Sequence, residues 1–295
     1  MITTRSYTGA ADLRRMQRVV SQAFGRGIDH VGDLAWGMRT LPHIALAPLI
    51  TLAEDGDGAP LGWMWFHVNG WFDVIAPSGD AELLDALLTA AAQTATRMQA
   101  AGDDMPHLRV LCATDDDALS HTAKRHGFTP LDGITLEVNR RTLDDLPEPR
   151  VPDGFTLTHV DDAHVDARVE AHRAAFPPSA LTAHGFRRVR ATWPYREQLD
   201  RMAVTTGGRV VSSCLAWIDE DTQWGLLEPV GTDPEFQRRG LATAVCLDAL
   251  HALRNAGARA AQVGCESGSA GGRTYHGIGF ETVRTMQVLH RPLTG

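Results

Sequence analysis

Residues 237–242 read Gln-Arg-Arg-Gly-Leu-Ala and lead from a turn containing Pro234 into a small-residue, apolar run with helical spacing. A helix that begins there offers unpaired backbone N–H groups and the positive end of its dipole at its first turn. Gly240 places no Cβ in the way of a group approaching this backbone. Gln237, Arg238 and Arg239 add side-chain donors and charge. The chemistry such a stretch suits is anion binding, above all of a phosphate. The same residues also fit a solvent-exposed basic turn ahead of an ordinary surface helix. A second chemical candidate stands shortly upstream. Glu228 interrupts the otherwise apolar stretch "WGLLEPV" (224–230). Burial there pushes a carboxyl towards neutrality, where it can take a proton as a general base, directly or through water. The alternative is a strand-end glutamate in a surface salt bridge.

These residues lie in the second of two similar halves. "ITTRSYTGAADLRRMQRVVSQAF" (2–24) resembles "FTLTHVDDAHVDARVEAHRAAF" (155–176), and "KRHGFTPLDGITLEVNR" (124–140) resembles "YHGIGFETVRTMQVLHR" (275–291). The two pairs share one offset, since 176 − 24 and 279 − 127 both give 152. Between the copies, three prolines and four acidic residues mark a linker. The expected domains are therefore 1–140, a Pro-rich linker 141–153, and 154–295.

The elements that must position the chemistry follow from periodicity. In the second half we expect a strand at 154–160 and helices at 161–176 and 181–192. "RMAVTT" and "RVVSSCLAWI" form a hairpin about Gly207-Gly208. A strand at 224–231, a helix at 240–256, a strand at 259–265, a short helix around 270–277 and a strand at 281–290 complete it. Helices alternating with strands, plus a hairpin, predict an α/β fold in which each half is a mixed, mainly antiparallel sheet flanked by helices. In the first half, Leu84, Leu87, Leu88, Ala91, Ala95 and Met98 form an apolar stripe that must pack on its sheet.

Bulk properties narrow the function. The 295 residues carry a net charge of −8, which argues against a general nucleic-acid or anionic-membrane surface. Cys112, Cys214, Cys246 and Cys265 make no CxxC pair and sit in apolar contexts, as buried thiols of a reducing compartment do. No apolar run approaches the ~18 residues of a membrane span, and the start is polar, so a cytoplasmic location is expected. The thirteen histidines show no metal-ligand spacing, and no metal is expected.

"TDPEFQRRGLA" (232–242) resembles the pyrophosphate loop of the GNAT N-acyltransferase superfamily, Q/R-x-x-G-x-G/A, through Gln237, Gly240 and Ala242. "GRTYHGIGF" (272–280) resembles that family's Y-x-x-x-G-F helix through Tyr275, Gly279 and Phe280. The resemblance covers the second half in detail and the first in architecture. The pairing of two such units resembles that of tandem, mycothiol-synthase-like acyltransferases. It implies an N-acetyltransferase that moves an acetyl group from acetyl-CoA to a primary amine, that of a small molecule.

On this resemblance Glu228 is the base and Tyr275 the acid that protonates the departing thiolate. Val230, Gly231 and Thr232 meet the thioester and pantetheine where the strands splay. Gln237, Arg238, Arg239, Gly240, Leu241 and Ala242 hold the pyrophosphate. Two departures stand out: some relatives carry the glutamate where this chain has Leu226, and many carry an asparagine where it has Gly268. Glu266 is a reserve base. The acceptor is expected beside residues 172–196, and beyond it at most a second copy of the chain as partner. In the first half Pro77 survives, but the loop is replaced by a stretch with Asp80 and Glu82, and Ala123 stands in the place of Tyr275. That half reads as a degenerate copy. Acylation of a peptide or protein N-terminus, or a non-catalytic acyl-CoA-binding scaffold, are the rival readings.

Overall fold

The structure, a computed structural model, describes residues 1–24 and 29–293. In chain order the elements are β1 (Thr3–Ser6), α1 (Ala10–Gln22), α2 (Val31–Gly37), α3 (His43–Leu46), β2 (Ile50–Glu54), β3 (Pro60–Phe66), β4 (Phe72–Ile75), α4 (Ala81–Ala100), β5 (His107–Ala113), α5 (Asp117–Arg125) and β6 (Thr129–Thr142). A similar order follows: β7 (Phe155–His159), α6 (Val165–Ala175), α7 (Ala183–Arg190), β8 (Asp200–Thr205), β9 (Val210–Asp219), β10 (Trp224–Thr232), α8 (Leu241–Asn255), β11 (Ala260–Glu266), α9 (Ala270–Gly277) and β12 (Glu281–Pro292). The 152-residue period persists in the backbone: 155 − 3 separates β7 from β1, and 183 − 31 separates α7 from α2.

Contacts gather the chain into two compact units, neither a single stretch of sequence. Unit one holds residues 1–29, 42–137 and 284–295, and unit two holds 30–41 and 138–283. Helix α2 thus belongs to unit two although it lies early in the chain.

In unit one, β1, β2, β3 and β4 form an antiparallel sheet in sequence order, and β5 pairs antiparallel with β12. The predicted stripe of α4 is buried from Leu84 to Ala95, with Met98 packed at its edge. It covers Met64, Phe66 and Phe72 of the sheet.

In unit two the order β11-β10-β9-β8-β7 is antiparallel except for the β10–β11 pair, which is parallel. The predicted hairpin closes with Gly208 at φ +84°, a conformation that costs glycine little. Both faces of the sheet are covered, which is why all ten residues of β9 are buried. On one face Leu241, Val245, Leu250 and Leu253 of α8 meet Ala203, Val211, Ala216 and Leu227. On the other, Trp36 of α2, Val169 of α6 and Phe186 of α7 meet Met202, Leu215, Trp217 and Leu226.

Helix α2 is held by specific contacts. A Cβ on Gly32 would stand 2.2 Å from Cγ of Trp217, so only glycine lets the helix lie this close to β9. Fully buried His30 caps its start: Nδ1 accepts from the Gly32 amide (3.1 Å) and Nε2 donates to the Trp224 carbonyl (3.1 Å). At its other end Arg188 of α7 donates to the carbonyls of Met38 (3.0 Å) and Arg39 (2.9 Å).

Candidate active site

Strands β10 and β11 share a parallel ladder only from Trp224–Leu226 against Ala260–Gln262, yet they run on to Thr232 and Glu266. The reason lies in residues 227–230, where the pairing of β10 with β9 slips by one residue. Pro229 has no N–H to give a ladder, so a bulge is the conformation that accommodates it. Beyond the bulge opens a cavity of about 620 Å³.

Val230, Gly231 and Thr232 of β10 line one side of it, together with Gln237, Arg238, Gly240, Leu241 and Ala242 from the turn and the start of α8. Tyr275, Gly271 and Arg273 of α9 line the other. Gly240 is the N-cap of α8 at φ +81° and no side chain caps the helix, so its first amides remain available. A Cβ at Gly240 would meet nothing within 4 Å, so the backbone lies open here. Arg238 also takes a left-handed conformation, φ +61°. Among the described residues, two arginines and no acidic residue line this cavity. Uncapped amides, an open glycine and this charge balance form a donor set that fits a pyrophosphate.

Arg239 is not among the lining residues. It stacks over Phe236 (5.1 Å to the ring centre) and lies 3.5 Å from the Glu235 carbonyl. Arg273, which the sequence reading passed over, takes a place in the wall and donates to the Gly268 carbonyl (2.9 Å). Its position on α9, two residues before Tyr275, was the available signal.

Tyr275 is 7% exposed and packs edge-on to Phe280 at 6.1 Å. Burial raises its phenol above the ordinary range, and neighbouring thiols and the Glu228 carboxylate add to the rise. The hydroxyl therefore stays protonated through neutral pH. Glu228 is half-buried on β10 at the bulge, and its backbone carbonyl accepts from Trp217 Nε1 (2.6 Å). It does not line the cavity, but its charge reaches both Tyr275 and Arg39. Leu226 is buried, and Glu266 is exposed at the end of β11. Gly268 takes φ +73° just before α9, which Ser269 caps by accepting from Gly272.

Of the expected acceptor stretch, His172 and Phe176 stand beside β10. Sequence reading missed Trp36 and Arg39, which α2 brings into the same unit. Unit one has its own cavity, about 340 Å³, reached by Pro77 and Gly79. Asp29, Asp115, Asp116 and Asp117 line it with Arg284, so its charge balance is the reverse. Asp80 caps α4 by accepting from Leu83 (3.0 Å), occupying the helix start that is uncapped in unit two, and Ala123 is fully buried. Among the described residues no cluster of His, Cys, Asp or Glu is placed to hold a metal, and no helix is long and apolar enough to cross a membrane.

The model of the acetyltransferase (GNAT) family matches residues 166–280. No curated protein matches the chain. Among solved structures, a GCN5-related N-acetyltransferase from Sphaerobacter thermophilus is 18% identical, with a TM-score of 0.67 over 99% of this chain and 95% of that one. A tandem GNAT protein from the clavulanic acid biosynthesis pathway is 15% identical, with a TM-score of 0.66 over 100% and 99%. Saccharomyces cerevisiae N-myristoyltransferase with bound myristoyl-CoA is 11% identical, with a TM-score of 0.63 over 100% and 80%. The fold is thus that of tandem GNAT proteins, and residues 166–280 form an acyltransferase domain.

Proposed function

We propose that the GNAT acetyltransferase domain over residues 166–280 moves an acetyl group from acetyl-CoA to a primary amine of a small molecule. What carries this reading is one cavity that joins the uncapped start of α8, Arg238 and Gly240 to Tyr275. The amides of Leu241 and Ala242, with Gln237 and Arg238, hold the pyrophosphate, and Arg239 contributes through the field around the turn. Backbone groups of Val230, Gly231 and Thr232 orient the pantetheine arm where β10 leaves β11. The coenzyme supplies the activated thioester.

Glu228 takes the proton that the attacking ammonium must lose, and Tyr275 gives its hydroxyl proton to the sulfur that departs. The burial that raises the phenol keeps that proton available at working pH. The absence of acidic residues from the cavity favours the anionic coenzyme, whereas the four aspartates beside unit one's cavity oppose it. On this reading 154–295 is the catalytic stretch, joined in unit two by residues 30–41, with 1–140 a degenerate copy and 141–153 the linker.

The test is an amine panel with acetyl-CoA, read by thiol formation, beside a calorimetric titration of the coenzyme. Thiol formation with one class of amine and a single coenzyme site are expected. Two equivalent coenzyme sites would overturn the assignment to unit two. Tight coenzyme binding without thiol release from any amine would turn the reading towards a binding scaffold.

A further inference from the structure

A row of side chains in unit two leads towards the strand that carries Glu228. The Arg39 guanidinium lies over Trp36, 4.8 Å from the ring centre. Trp36 meets His172 edge-on at 5.4 Å, and His172 meets Phe176 at 4.7 Å. Phe176 closes on β10, where a Cβ added to Gly231 would stand 2.6 Å from its ring. Gly231 already lines the cavity described above. The row therefore runs from Arg39 to the strand that carries the expected base.

Two groups in this row keep polar atoms without a hydrogen bond among the described residues. His172 is only 7% exposed, yet its Nδ1 is buried without a hydrogen bond. Arg39 is half-buried and donates one bond, through Nη1 to the Trp36 carbonyl (2.9 Å), and joins no ion pair. One helical turn before His172, Arg168 is fully buried; its Nε reaches Asp200 (3.1 Å), while Nη1 and Nη2 are unpartnered. Burial of unpaired donors is costly, and a ligand that pairs them is one reason such groups persist.

The charges indicate what that ligand carries. Burial, with Arg168 and Arg39 nearby, holds the His172 imidazole down to about 4, so it is neutral at neutral pH. Arg39 remains cationic although burial lowers its pKa, and the Glu228 carboxylate is the first charge that opposes this lowering. The Arg39 cation thus feels the Glu228 carboxylate and, after it, that of Asp33. The complement of the Arg39 and Glu228 pair is a molecule with an anion at one end and an amine at the other. A planar carboxylate matches the open edge of a guanidinium, and it can also accept from an imidazole N–H.

We propose that the acceptor is an amine that also bears a carboxylate, an amino acid or similar amino carboxylate, held by Arg39 and His172 with its amine towards Glu228. This rests on the acetyl-transfer reading and gives it a substrate class. The apolar part of the acceptor lies along Trp36 and Phe176.

The experiment uses the full chain, acetyl-CoA and matched pairs that differ in the carboxylate: phenylalanine and phenethylamine, leucine and isopentylamine, lysine and cadaverine, β-alanine and ethylamine. The carboxylate member of each active pair is expected to show a kcat/KM at least about tenfold higher, because a site built to bond a group rejects the analogue that lacks it. Arg39→Gln should raise KM for that member by at least about tenfold and erase the preference, with the acetyl-CoA Kd unchanged. Arg39→Lys keeps the charge and should restore part of the preference, which guards against a folding defect in the first variant. Equal use of both members, or a better bare amine, overturns the inference, as does an Arg39→Gln effect on coenzyme affinity alone. If acetyl-CoA binds but no amine of either kind releases thiol, the transfer reading fails. Calorimetry with the same amino carboxylates then decides the site by itself, and absence of binding overturns it too.

Discussion

Replacing Tyr275 with Phe removes one oxygen and separates catalysis from packing. The ring is 7% exposed and rests edge-on against Phe280 at 6.1 Å, and Phe keeps both the burial and the contact. The hydroxyl makes no hydrogen bond among the described residues, so its loss leaves no buried partner unpaired. Stability should change by no more than about 0.5 kcal/mol. Tyr275→Ala, by contrast, opens a cavity and should cost about 3–5 kcal/mol. If the phenol protonates the departing thiolate, Tyr275→Phe removes general acid catalysis, typically worth roughly 10²–10⁴ in rate. At about 1.4 kcal/mol per tenfold, that is about 3–5 kcal/mol of barrier. Because burial raises the phenol, the wild-type donor stays protonated well into the alkaline range, and kcat should show no alkaline loss from this group. The assay is thiol release at saturating acetyl-CoA, with coenzyme Kd by calorimetry and Tm by scanning calorimetry. The expected pattern is a large fall in kcat with Kd and Tm nearly unchanged. Full activity in the variant would refute the reasoning and leave Tyr275 as a packing residue.

Three further outcomes are expected. Arg238→Gly relaxes a left-handed backbone worth about 1 kcal/mol while removing a charge, so Tm should hold or rise as acetyl-CoA Kd weakens by about tenfold, more so at low salt. An unchanged Kd would make the turn a surface feature. Gly231→Ala drives a Cβ to 2.6 Å from Phe176 and 2.8 Å from Ala175, so about 1–3 kcal/mol of stability should be lost by chemical denaturation, and an unaltered midpoint would contradict the packing. His30 is fully buried and held at about 4 by burial, whereas an unfolded-chain histidine titrates near 6.5. Its contribution is intact above pH 6.5 and is lost as pH falls towards 4, because only the unfolded chain takes up the proton; the loss is about 3 kcal/mol. His30→Asn retains a capping side chain but cannot titrate, and denaturation midpoints at pH 7 and 4.5 should converge on a shallower slope. An identical slope in both proteins would exclude His30 as the source.

Much of unit two was legible from local pattern. The β8–β9 hairpin, the start of α8 after Gly240 and the short helix bearing Tyr275 each depend on a few neighbouring residues. Backbone conformation there follows from glycine freedom, unsatisfied helix ends and apolar period, all short-range terms written in adjacent residues. The 152-residue period belongs to the same class, since it records the order of elements. Local pattern cannot assign side chains to a common wall. Arg238 and Arg239 are neighbours in sequence, yet one lines the cavity and the other lies over Phe236. Arg273 enters the wall because α9 packs beside α8, and the bulge at Pro229 ends the β10–β11 ladder only because β11 is there to be left behind. The largest departure is α2. Gly32 against Trp217, His30 on the Trp224 carbonyl and Arg188 on the Met38 and Arg39 carbonyls bring residues 30–41 into unit two, with Trp36 and Arg39 beside His172. Sequence alone determined which elements form, because those choices are made within a few residues; tertiary structure decided which side chains share the site, because close packing selects partners by shape across more than a hundred residues of chain.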